Sequence, residues 1–159
     1  PQADLFDTAK APQFYADSYR NDEQLIATLN NYPNLILLMA GHRHKNTVTP
    51  HPSPDPTHPE NGFWEVETPS LRDFPQQIRT FDIRRNSDNS ISIVTTNVDP
   101  LVEPGSPAAD SRGYAIGASR LFGNTAVNDL TSHVYNAELV KLLTPPMQAK
   151  IAATQISGA

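Results

Sequence analysis

At 159 residues the chain is one domain's worth, long enough to bury about two-thirds of its unfolded surface, yet 38% hydrophobic content and fifteen prolines point to long irregular connections or to a core completed by other chain. The absence of cysteine excludes a disulfide scaffold and a thiolate site, and it leaves the compartment open, since it suits an exported or periplasmic bacterial protein as well as a cytoplasmic one. A net charge of -5 argues against a generic nucleic-acid binder, and no apolar run approaches the roughly 20 residues that span a bilayer.

Residues 1–19 show no clear period and read as an extended connection. A helix is predicted from Asn21, which can cap it. Asp22 and Glu23 suit the positive end of its dipole, and Leu25, Ile26 and Leu29 form one apolar stripe. Tyr32-Pro33 ends it, because proline disfavours helical geometry in the residue before it. The run Asn34-Leu35-Ile36-Leu37-Leu38-Met39-Ala40 then reads as a buried strand, closed by Gly41-His42-Arg43-His44. In extended backbone His42 and His44 point to the same side, and Gly41 permits a tight turn. Helix, turn and buried strand make an αβ unit, and ligands of open α/β sheets bind at the C-terminal ends of such strands. Two imidazoles there are a candidate metal edge, although two ligands alone do not make a site.

Residues 45–62 are predicted to be a proline-rich loop unable to join a sheet ladder, with His51 and His58 in solvent-exposed loop positions rather than acting as ligands. Phe63 to Glu67 reads as a short strand. Gln77 to Arg85 and Ser90 to Val98 form a β-hairpin around Asn86-Ser87-Asp88-Asn89, with Arg79, Arg84 and Arg85 on a solvated face and Trp64 and Phe74 in the core. After a linker, Ser106 caps a helix with Pro107 in its first turn. Tyr114, Ala118, Leu121 and Phe122 line one face, expected to pack against the sheet or a neighbouring domain, and Gly123-Asn124 ends it. A further helix is expected over Val134 to Leu143 with Leu139, Leu142 and Leu143 buried, and His133 is an ordinary helix-start residue. Thr144-Pro145 starts a final helix containing Met147 and Ile151. Pattern alone therefore supports a mixed α and β fold with an antiparallel hairpin, divided into residues 1–100 and a C-terminal helical extension over 101–159.

Gly41-His42-Arg43-His44, preceded by an apolar strand and a short helix, resembles the last signature motif of the calcineurin-like metallophosphoesterases. The segment from Gly62 to Gln77 is similar to the stretch downstream of that motif in some bacterial members. The resemblance implies a four-layer α/β/β/α sandwich, of which residues 1–100 are the C-terminal part. It implies a dinuclear centre of divalent or trivalent Mn, Fe or Zn, with His44 a ligand of the first metal and His42 of the second. It implies hydrolysis of a phosphomonoester or diester by a metal-bridging hydroxide. The family's Asp-x-His, Gly-Asp-x-x-Asp and Gly-Asn-His motifs are not found, and residues 1–41 hold no histidine. Beginning at Pro1 without a leader, the chain reads as the C-terminal piece of a longer protein. It is expected to be inactive without the upstream half, which would be its partner, possibly as a separate polypeptide. Asp73, Glu65 and Glu67 match no ligand motif and are assigned no metal. The competing reading is a non-catalytic α/β interaction or structural fragment with incidental histidines. A single-metal His-x-His site in a β-barrel is disfavoured by the preceding helix and by the lack of a glutamate soon after the motif.

Overall fold

The computed structural model describes residues 22–42, 44–122 and 136–154. They form a mixed α/β structure of two small three-stranded sheets and three α-helices. The order is α1 (Asp22–Leu29), β1 (Leu37–Ala40), β2 (Thr47–His51), a 3-10 turn (Pro59–Asn61), β3 (Phe63–Glu67), β4 (Ile78–Arg85), β5 (Ser90–Val98), α2 (Pro107–Leu121), β6 (Ala137–Leu142) and α3 (Pro145–Ala153). The predicted Asn21 cap, the Gly123-Asn124 stop, His133, Arg43 and the extended connection over residues 1–19 lie outside the described residues.

In the first sheet β3 is central. It pairs parallel with β1 (Leu38↔Glu65) and antiparallel with β2 (Thr49↔Glu65). The second sheet is antiparallel throughout, with β5 between β4 and β6. One buried cluster joins the two sheets: Val66 from β3, Ile91 and Ile93 from β5, and Leu139 and Leu143 from β6 and its end, with Leu37, Val48, Trp64 and Phe81 packed around them. Alternation on β3 puts Trp64 and Val66 toward this core and Phe63, Glu65 and Glu67 on the opposite face. The Trp64 indole crosses between sheets, its Nε1–H donating to the Val140 carbonyl at 3.0 Å.

Three sequence expectations fail here. Residues 45–62 do not form one loop, because Thr47–His51 is a strand with Pro50 opposite Trp64. The strand is at the sheet edge, where a residue whose N–H faces away from the partner gives up no ladder bond. Gly62 allows the close return, since a Cβ there would lie 2.7 Å from the His51 carbonyl oxygen. Within the helix expected over Val134 to Leu143, Ala137–Leu142 is instead the strand β6, so the segment after residue 100 also supplies sheet. Its inward residues are Leu139 and Lys141, and Leu142 is 49% exposed. The stripe predicted for α2 likewise does not pack against the described sheets. Ala115 and Ser119 are its buried residues, whereas Tyr114, Leu121 and Phe122 are exposed. The cap itself is as predicted, with the Ser106 hydroxyl accepting from the Ala109 N–H.

Candidate functional site

Because β1 and β3 run parallel, Ala40 and Glu67 end them at one edge, and Thr47, the start of β2, lies opposite Glu67 at that same edge. The segment Gly41–Asn46 bridges these ends and so carries His42 and His44 at the C-terminal edge of the parallel pair. The Thr68 N–H, bonded to the Ala40 carbonyl at 2.9 Å, continues the pairing one residue beyond β3. From there the chain runs through Asp73 and the cis Phe74-Pro75 bond toward β4.

The motif is not extended backbone. His42 (φ 83°) and His44 (φ 55°) themselves take left-handed conformations, which histidine tolerates better than most residues. Gly41 does not, and a Cβ on it would meet nothing within 4 Å among the described residues. The tight turn assigned to Gly41 is thus made by the histidines, and the same-side alternation of a strand does not apply to them. His42 is exposed.

His44 is half-buried, and its Nδ1–H donates to Asp73 Oδ2. The Arg72 guanidinium, donating from Nε to Asp73 Oδ1 at 3.0 Å, and secondarily the His44 ring, hold the Asp73 carboxyl below its ordinary pKa. An ionised carboxylate can only accept, so the ring nitrogen facing it is Nδ1–H, and in the neutral imidazole Nε2 then keeps its lone pair. That is the arrangement in which a carboxylate orients a metal-ligating histidine. Behind it, buried Asn46 donates to Gln77 Oε1 at 2.8 Å and accepts from Arg79 Nη2 at 2.7 Å, while Gln77 reaches Asp99 Oδ1 at 3.2 Å. These bonds fasten the histidine segment to the start of β4. Arg79, expected on a solvated face, is instead half-buried and also donates to Thr95. Arg84 does lie outside, paired with Asp82.

The remaining acids and histidines are engaged elsewhere. His51 is not solvent-exposed. Its Nε2 meets Glu65 Oε2 at 2.7 Å and its ring stacks on Phe63 at 4.8 Å. His58 is exposed and pairs with Glu60 at 3.1 Å. Glu67, fully buried, accepts from Thr47 Oγ1 at 3.3 Å. Among the described residues no three histidine, aspartate or glutamate side chains converge as a metal-holding group. The donor chemistry of His44 fits a metal ligand, and ligands beyond His42 and His44 would have to come from outside the described residues.

Sequence reasoning considered Asp73 only as a metal ligand and assigned it none, and so missed its pairing with His44. Asp73 stands 29 positions from His44 and belongs to no spaced motif. Its only signal was its place in the connection after β3 at the histidine edge. No protein-family model, curated protein or solved structure matches the chain.

Proposed function

We propose that this chain is the C-terminal portion of a dinuclear metal-dependent phosphoesterase of the calcineurin-like kind, with His42 and His44 as metal ligands. The observation that carries the reading is the His44–Asp73 pair at the C-terminal edge of two parallel strands. A carboxylate on Nδ1 favours the neutral tautomer whose Nε2 lone pair can bind a metal, which supports the reading. Two sheets sharing one core are compatible with the inner layers of an α/β/β/α sandwich. The all-apolar β1 is only partly covered, with Met39 65% exposed, as suits a strand that gains another neighbour in a larger sheet.

Bound metal ions would supply Lewis-acid activation of the phosphoester and of water at neutral pH. The residues of this chain have narrower tasks. Asp73 holds the proton at His44 Nδ1 and sets the ring's orientation, and Arg72 keeps Asp73 ionised. The Asn46, Gln77 and Arg79 bonds limit movement of the segment. With two ligands the chain alone is inactive, and activity belongs to its assembly with the upstream half.

Denaturing intact-mass analysis of the folded, active preparation, and then assay with a generic phosphodiester, tests this. A second polypeptide or a longer chain, and hydrolysis lost in His42→Ala and His44→Ala, is the expected result. Hydrolysis unaffected by both substitutions would favour the fragment with incidental histidines.

A further inference from the structure

Tyr114, Ala118 and Phe122 recur every fourth residue, the spacing of a single helix face. Such a stripe ordinarily packs inward, yet Tyr114 is 78% and Phe122 83% exposed. The helix is nonetheless firmly placed. Arg112 Nη1 donates to the Pro75 carbonyl at 2.9 Å, and Gln76 Nε2 donates to Ser111 Oγ at 3.1 Å. Both bonds pin α2 to the connection that carries Asp73, so the stripe stands as a fixed wall beside the histidine edge.

Two adjoining clefts lie along that wall. One, of about 230 Å³, has His44, Arg72 and Asp73 on its polar side and Phe74, Ala118 and Phe122 on its apolar side. The other, of about 460 Å³, shares Arg72, Asp73 and Ala118 and extends to Tyr114. Ala118 lines both clefts, and its small side chain takes little of the space where they adjoin. Arg72 is 82% exposed in its side chain and spends one Nε–H and one Nη2–H on Asp73, so most of its five N–H donors remain for an anion.

We infer that these clefts bind the organic part of the phosphoester, and that this part carries an aromatic ring, as in an aryl or nucleoside ester. The phosphoryl oxygens face the Arg72 guanidinium, beside the histidine edge, and the ring lies against Phe122 or Tyr114. Exposed aromatic faces select a flat ring over an alkyl chain because offset stacking adds to area burial. The inference rests on the phosphoesterase reading of the edge.

The test is calorimetric titration of the complete protein with phenylphosphonate and methylphosphonate, neither of which is a hydrolysable ester. The phenyl compound is expected to bind about tenfold more tightly. The double variant Tyr114→Ala/Phe122→Ala brings the two affinities within about twofold, and Ala118→Trp, which fills the space where the clefts adjoin, weakens the phenyl compound selectively. All three positions are on the surface, so folding is retained, as circular dichroism checks. Equal affinity in the wild type, or discrimination that survives both variants, overturns the inference. Hydrolysis without discrimination overturns the cleft assignment alone, whereas discrimination in a protein that holds no metal and cleaves no ester overturns the phosphoesterase reading and keeps the cleft.

Discussion

Replacing Lys141 by methionine tests how the two sheets are tied. Lys141 points inward on β6 between Leu139 and Leu143 and is 4% exposed. Its Nζ donates to the carbonyls of Glu60 at 2.5 Å and Gly62 at 2.6 Å, so the second sheet grips the turn that leads into β3. Methionine keeps an unbranched stem and removes the ammonium. Two charge-assisted hydrogen bonds contribute about 1.5–3 kcal/mol each, or about 3–6 kcal/mol together. Against this, the variant no longer desolvates an ammonium, a cost of several kcal/mol. It does leave two carbonyls without their donor, at about 1 kcal/mol or more each. The bonds and the stranded carbonyls outweigh the relief, giving a net loss of about 1–3 kcal/mol, or roughly 3–10 °C in Tm for a chain of this size. Urea and thermal denaturation monitored by circular dichroism measure it. A second arm uses pH. Burial lowers the Lys141 pKa from its ordinary 10.5, with Glu60 opposing. Between that lowered value and 10.5 the unfolded chain binds more protons than the folded one, so wild-type stability rises with pH through this window. The methionine variant lacks that rise. A variant as stable as the wild type, with an unchanged pH dependence, would show that the ammonium does not tie the sheets together.

Val66, wholly buried where the sheets meet, is expected to cost about 2–3 kcal/mol when cut to alanine, read from the denaturant midpoint. In the hairpin turn, the Ser90 hydroxyl and then the Ser90 backbone N–H hold the Asp88 pKa below its ordinary 3.8. The stabilisation this gives is present above pH 3.8 and is lost as pH falls through the lower folded value. The stability gap between wild type and Asp88→Asn should therefore narrow in acid titrations below pH 3.8.

The elements legible in the sequence are those whose local signals agreed with their surroundings. An apolar run marked β1, although the strand is only partly covered rather than buried as expected. Phe63 to Glu67 was legible as a short strand, and β-rich strands around Asn86-Ser87-Asp88-Asn89 marked the hairpin, where Asn89 takes the left-handed φ of 63° that asparagine tolerates. Thr144 accepts from the Met147 N–H at the start of α3, as its Thr-Pro signal indicated. β2 was hidden because Pro50 normally argues against a strand, and only its edge position removes the objection. β6 was hidden because the inward alternation Leu139, Lys141, Leu143 contains a lysine, which made helical spacing of its leucines look better. Lysine is tolerated there only because two carbonyls from distant chain meet it. The α2 stripe had the right spacing but its exposure depends on what else covers that helix, which spacing cannot reveal. At the candidate site the two histidines were legible as a strand-end pair. The Asp73 partner was not, since contact across 29 residues depends on the path of the chain after β3.

Metal content is the decisive property of the histidine edge. The assembled protein should be equilibrated with Mn, Fe or Zn, dialysed, and analysed by elemental mass spectrometry beside His42→Ala, His44→Ala and Asp73→Asn. Roughly two ions per active unit are expected in the wild type. Each histidine variant should lose bound metal, and affinity should weaken about 10–100-fold when Asp73 can no longer orient His44 as a carboxylate. Wild-type metal content in both histidine variants would contradict the metal-centre reading and leave the edge a pair of incidental imidazoles.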